Sequence, residues 1–133
     1  MFRERLPIGN RRIVRVSGGD FEGEGIRGEI VPGGDDWIIV REDGTIIQDV
    51  RLMLRTDDEA IILMTYRGIR TGPLSVLERL DRGEEVDNSE YYFRTTPTFE
   101  TASEKYNFLN QKVFISIGKK TSGKVLYSIY TVV

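Results

Sequence analysis

The chain has 133 residues, the length of one compact domain. Its 19 Lys+Arg nearly balance 21 Asp+Glu for a formal net charge of −2, so no overall basic field favours nucleic acid. With His 0 and Cys 0, the chain has no Ser-His-Asp or Cys-His nucleophilic site, Cys/His zinc cluster, disulfide or redox CxxC, and chemistry falls to carboxylates, Arg, Lys, Tyr, Ser/Thr, Asn or Trp.

The opening segment Met-Phe-Arg-Glu-Arg-Leu-Pro has no apolar core, and no stretch nears the roughly 20 apolar residues of a membrane span. The expectation is a cytoplasmic chain with no membrane and no nucleic-acid partner. Arg3, Arg5, Arg11, Arg12 and Arg15 crowd the N-terminal region and read as a solvated strand face. Arg12 to Val16 alternates as a strand and stops at Ser17-Gly18-Gly19. Ile26 to Val31 is a second run, closed by Pro32-Gly33-Gly34. Trp37 to Arg41 and the run from Thr45 flank Glu42-Asp43-Gly44, and an Asp-Gly between β-branched runs is a hairpin signal.

Asp49 to Arg55 has period two. Val50, Leu52 and Leu54 share one face, and Asp49, Arg51, Met53 and Arg55 the other. Thr56-Asp57-Asp58-Glu59 turns the chain into a strand from Ala60 to Tyr66. A helix comes next, with Pro73 in its first turn, Leu74, Val76, Leu77 and Leu80 as its apolar positions and Gly83 as its stop. It caps one end of the sheet. Ser103 to Leu109 holds a further helical turn, and Val113–Ile117 and Val125–Val133 are late strands joined through Gly118 to Gly123. Short strands at regular spacing predict an all-β, antiparallel β-barrel or sandwich of one domain, 1–133, with one or two short helices. Closure is favoured because it removes sticky edges.

Several motifs fail on context. Gly23-Glu24-Gly25-Ile26-Arg27-Gly28 matches G-x-G-x-x-G, but Glu29-Ile30-Val31-Pro32-Gly33 reads as strand and turn, so no helix N-terminus meets a pyrophosphate. Asp35-Asp36, Asp57-Asp58 and Glu84-Glu85 lack EF-hand spacing and read as turn carboxylates, so no metal and no cofactor are expected. Tyr91-Tyr92-Phe93-Arg94, with Phe99, Tyr106 and Phe108, supplies core aromatics or lines a pocket. Asp49 and Arg51, two apart on one strand face, are placed to pair. Outward, that pair contributes little; inward, it is a costly buried charge pair that calls for a functional reason.

Together the motifs resemble the domain-of-unknown-function family 3237, also called uncharacterised protein family 0311. The resemblance rests on Gly18-Gly19-Asp20-Phe21-Glu22-Gly23, Pro32-Gly33-Gly34-Asp35-Asp36-Trp37, and Asp49-Val50-Arg51 ahead of Thr56-Asp57-Asp58. It rests also on Tyr92-Phe93-Arg94-Thr95 with Pro97, Phe99-Glu100-Thr101 and Tyr106-Asn107-Phe108-Leu109-Asn110. It runs from about Gly9 to the C-terminus. It implies a closed or nearly closed antiparallel barrel, broadly lipocalin-like in architecture, whose interior holds a small molecule. Asp35 stands where the family has Ala, Glu59 where it has Gly, which suggests a different turn, and Phe108 where it has Trp. Members begin with an extra N-terminal strand that this chain mostly lacks, a gap that a partner chain of a homo-oligomer would cover.

If the motifs surround one pocket, they assemble acid–base chemistry without histidine. Glu100 or Asp36 is the candidate base, given a pKa raised by burial. Arg51 or Arg94 binds a carboxylate or enolate, and Tyr106 or Asn110 donates to a developing oxyanion. Trp37, Asp49 and Phe93 complete the candidate substrate contacts. Two readings stay open: a barrel that binds, or isomerises, cyclises or eliminates from, an organic acid or polyketide-like compound, and a structural or protein-interaction barrel.

Overall fold

Short β-branched strands cannot bury an apolar face singly, and the computed structural model, which describes residues 1–133, joins them all into one antiparallel sheet. The strands are β1 (Phe2–Leu6), β2 (Gly9–Arg15), β3 (Gly19–Gly23), β4 (Ile26–Val40), β5 (Ile46–Thr56), β6 (Ile61–Thr71), β7 (Tyr92–Thr101), β8 (Val113–Thr121) and β9 (Lys124–Val132). Helix α1 (Leu74–Asp81) and a 3₁₀ turn at Asn88–Glu90 lie between β6 and β7, and a second 3₁₀ turn, Asn107–Asn110, precedes β8. Spatial order is β1-β2-β4-β5-β6-β7-β8-β9, with β3 paired to the first half of β4. The edges β1 and β9 do not pair with each other, so the expected barrel is open-sided. No helix is long and apolar enough to cross a membrane.

Three sequence expectations change. Pro32-Gly33-Gly34 does not end a strand: β4 runs on for 15 residues, with a register irregularity between Val31 and Asp35. Val16 holds the irregular segment from the far side, its N–H donating to Gly34 O at 2.7 Å while its carbonyl accepts from Gly33 N at 3.1 Å. Second, Tyr92–Thr101 is a full strand. Pro97 is tolerated in it because β8 pairs only with Arg94 and Thr95, leaving one side of β7 free at the proline. Third, Glu59 keeps the left-handed conformation that a glycine would favour, with φ at 70°, so the turn is retained rather than replaced.

The two ends of the curled sheet are plugged by apolar clusters. At one end Tyr106 and Leu109 of the second 3₁₀ segment pack on Leu52, Leu54, Ile62, Met64 and Phe114. At the other, Val76, Leu77 and Leu80 of α1 pack on Val86, Tyr91 and Phe93. Gly83, at φ 79°, donates to Leu80 O and closes the helix, as its position predicts. Between the plugs the inner face is polar, and Tyr127 of β9 touches both clusters across that band.

Candidate functional site

The alternation of β5 decides which residues meet the interior. Ile46, Gln48, Val50, Leu52 and Leu54 are buried, and Arg51, Met53 and Arg55 are exposed. The Asp49/Arg51 face therefore points outward. The expected Asp49–Arg51 pair is not formed; Asp49 instead accepts from Arg67, its direct cross-strand neighbour on β6, at 3.5 Å. Directly opposite residues approach more closely than residues two apart on one strand.

The sequence-derived candidates do not share one pocket. Trp37, Asp49 and Arg51 line an open depression of about 440 Å³ on the outer face, with Met53 and Leu63 in its floor. Trp37 is 49% exposed there, with the Arg11 guanidinium 5.8 Å from its ring centre. Arg94 and Glu100 are also outward and exposed on β7, so Glu100 lacks the burial expected of a tuned base. The Arg94 guanidinium lies over Tyr92 and donates to Phe93 O at 2.9 Å. Asn110 clamps the end of β7, accepting from Thr101 N and donating to Thr101 O, both at 2.9 Å. Asn110 therefore braces a turn and does not reach the interior polar band.

Tyr106 is buried in the apolar plug and donates to Asp58 Oδ1 at 2.8 Å. Hydrogen bonds from Thr56, Lys105 and Tyr106 hold the Asp58 carboxyl well below the usual carboxylate range. A depressed carboxylate contributes stability above its unfolded pKa of about 4 and loses it as pH falls through its folded value. Tyr106→Phe removes one of these three hydrogen bonds and is expected to lower the melting temperature at pH 7. Thermal denaturation of both proteins at pH 7 checks this, and a variant as stable as the wild type contradicts it.

Asp36 and Phe93 are the candidates inside the barrel. Phe93 packs edge-on against Tyr127 with ring centres 5.6 Å apart, and Gly118 gives it room, since a Cβ there would stand 2.7 Å from its ring. Asp36 projects from β4 just beyond the irregularity. It accepts from Gln48 Nε2 at 3.3 Å and from the Asp49 backbone N–H at 3.4 Å. Gln48 Nε2 also donates across the barrel to Tyr127 Oη at 3.2 Å, and the Tyr66 ring lies 5.2 Å from that of Tyr127. Burial pushes the Asp36 carboxyl up to about 6, against the pull of both hydrogen bonds and of Arg70. Burial also pushes the Tyr66 and Tyr127 hydroxyls up, so both remain donors at neutral pH.

Arg12, Gln48, Tyr66, Arg70, Lys120 and Tyr127 are absent from the sequence-derived candidates, and two of them carry a legible signal. Gln48 and Arg70 are polar residues in the buried phase of otherwise apolar strand faces, Ile46–Thr56 and Ile62–Arg70. Arg12 departs from the solvated arginine face expected of the N-terminal region, because its Nε is buried. The acidic pairs divide among separate partners. Asp57 meets Arg27 at 3.1 Å, and Glu84 meets Arg82 at 2.7 Å and Arg79 at 3.6 Å. No three acidic side chains surround a common point.

Comparison with known proteins places this geometry in a wider set. A family model described as "Protein of unknown function (DUF3237)" matches residues 3–132. UPF0311 protein RPA1785 of Rhodopseudomonas palustris is 38% identical over 127 residues, covering 96% of this chain and 83% of its own. Its crystal structure superposes with a TM-score of 0.95 at 35% identity, over 99% of this chain and 88% of that one. A "beta-barrel like protein" of Acinetobacter baumannii matches with a TM-score of 0.81 at 41% identity, over 95% and 80% of the two chains. An enzyme from Penicillium herquei shares the fold alone, with a TM-score of 0.67 at 19% identity over 98% of this chain and 83% of that one.

Proposed function

The chain belongs to the DUF3237 family, which brings a barrel-like fold but no activity, and on that premise we propose that it binds a small organic molecule against the interior polar band and exchanges a proton with it through Asp36. One observation carries the reading: Asp36 is the single sequence-derived carboxylate candidate held inside the barrel, and its pKa of about 6 suits a proton acceptor at neutral pH. Gln48 orients it, and the Tyr127 and Tyr66 hydroxyls lie where they can donate to a developing oxyanion on the ligand. The chemistry is that of a metal-independent isomerase, cyclase or lyase acting on an organic acid or polyketide-like compound. The setting proposed is cytoplasmic, with no nucleic-acid or membrane partner.

The second reading is a protein-interaction barrel, and a specific observation favours it. Trp37, Arg51, Arg94 and Glu100 all face outward, and β9 is an unpaired edge with exposed Leu126, Ile129, Tyr130 and Val132. A homo-oligomer formed through that edge belongs to it.

A thermal-shift screen of small carboxylic acids and phenols, repeated on Asp36→Asn and Tyr127→Phe, separates the two. We expect at least one class to stabilise the wild type, and both variants to weaken its binding about tenfold or more, as loss of one buried polar contact costs on the order of 1–3 kcal/mol. Arg94→Ala and Glu100→Gln should bind as the wild type does. The proton-exchange reading fails if no class stabilises the protein, or if both interior variants bind normally. A discrete oligomer on sizing in that event favours the interaction barrel.

A further inference from the structure

We propose that the interior carries a built oxyanion subsite near its α1 end, in which Arg12, Arg70 and Lys120 receive the carboxylate of the ligand; this rests on the interior-site reading and names the group by which the ligand is anchored. The register places the three on one surface. Arg70 on β6 stands opposite Ile46 and Phe93, Arg12 on β2 opposite Ile38, and Lys120 on β8 opposite Val125. Each partner belongs to the inward phase of its strand, the phase that carries Gln48 and Tyr127.

Two features point to a missing acceptor. The Nε atoms of Arg12 and Arg70 are both buried and have no hydrogen-bond partner. The Arg70 side chain is only 8% exposed, so water does not compensate it freely. An unsatisfied buried donor is costly, and more so when it is charged. The charge count agrees. Of the three cations only Arg70 has an ion-pair partner, Asp81 of α1 at 3.6 Å, and that carboxylate is 58% exposed. Asp36 contributes a further attraction to Arg70, and the Tyr91 and Tyr127 side chains face it.

Mutual repulsion is felt within the group. Burial, then the charges of Arg70 and Arg12, holds the Lys120 ammonium below its ordinary range, and Arg12 acts on Arg70 in the same sense. Three like charges gathered in a partly desolvated site are unfavourable in the free protein and favourable once an anion enters. A carboxylate suits the donors, because a guanidinium offers Nε–H and Nη–H as a planar fork. With its acid group there, the body of the ligand extends toward Tyr127, Gln48 and Asp36, which links anchor to proton acceptor.

The test uses benzoate, its neutral isostere benzamide, and inorganic phosphate at constant ionic strength, on the wild type, Arg12→Gln and Lys120→Met. Benzoate should raise the melting temperature, and benzamide and phosphate should not match it. Each variant should weaken benzoate binding about tenfold or more. In the wild type, the Arg12 and Arg70 Nε–H resonances should shift with benzoate, a readout that does not depend on the variants folding. Equal stabilisation by benzoate and benzamide overturns the subsite and leaves the interior-site reading standing. Phosphate acting in place of benzoate overturns the carboxylate assignment, and unmoved Nε–H resonances overturn the location. Failure of all three probes and of the wider screen removes both.

Discussion

Asp36→Asn should stabilise the protein by about 3 kcal/mol above pH 7 and change it little below pH 4, because a carboxyl raised from 3.8 to about 6 loses stability across that interval at about 1.4 kcal/mol per pH unit. The sign comes from proton counts. Between pH 4 and 6 the native state binds more protons than the unfolded chain, so stability falls as pH rises through this window and is level above it. Asparagine removes the desolvated charge and keeps an oxygen to accept from the Asp49 N–H. Gln48 Oε1, which has no partner in the wild type, can then take the new amide donor after a flip of the Gln48 side chain. Urea denaturation of both proteins at pH 4, 5, 6, 7 and 8 measures the difference. A variant less stable than wild type at pH 8 would mean that Asp36 is held as a satisfied anion, and the acid–base reading would lose its basis. A stabilised variant that no longer binds ligand is the pattern expected of a residue kept for function at a cost in stability.

The other large effect is expected at Gly34. A Cβ at this position would stand 2.4 Å from the Arg51 carbonyl oxygen and 3.0 Å from Leu52 Cδ2, and the first of these is backbone that cannot swing away. Gly34→Ala must therefore push β4 off β5 at the irregular segment. The expected loss is about 3 kcal/mol, the upper end of what overpacking usually costs. The displacement falls two residues before Asp36, so the same variant should separate the carboxylate from Gln48 Nε2 and remove one of the hydrogen bonds that hold its pKa down. Gly23→Ala is the contrast, because its Cβ would meet only Ile26 Cγ2 at an ordinary 3.5 Å. Chemical denaturation of both variants checks the ranking, and a Gly34→Ala protein as stable as Gly23→Ala contradicts the packing assigned to the segment.

Period two in β5, the Asp43-Gly44 hairpin, the α1 stripe and its Gly83 stop are all legible from residue order, because each depends on contacts within a few positions. The continuation of β4 through Pro32-Gly33-Gly34 is not. There, turn-forming residues are overruled by pairing to Val16 on one side and to β5 on the other, and neither partner is local. The candidate site divides in the same way. The motifs mark Asp36 and Phe93 along with Trp37, Asp49, Arg51, Arg94 and Glu100, yet alternation sends neighbouring motif residues to opposite faces of one sheet. Asp36 enters the barrel and Trp37 leaves it. The residues that gather around Asp36 come from β5, β6 and β9, and only the curl of the sheet brings Gln48 to Tyr127, 79 positions away. A polar residue in the buried phase of an apolar strand is the signal that finds Gln48 and Arg70. The absence of histidine and cysteine, at first only an exclusion, points to the partly buried carboxyl of Asp36 as the proposed titrating group.

The most direct test is a ¹³C NMR titration of the Asp36 carboxyl, assigned by its disappearance in Asp36→Asn. With Asp36 as the interior proton acceptor, a single midpoint near 6 is expected, moving when a ligand is bound. A midpoint near 4, unchanged by any ligand that stabilises the protein, would contradict that role.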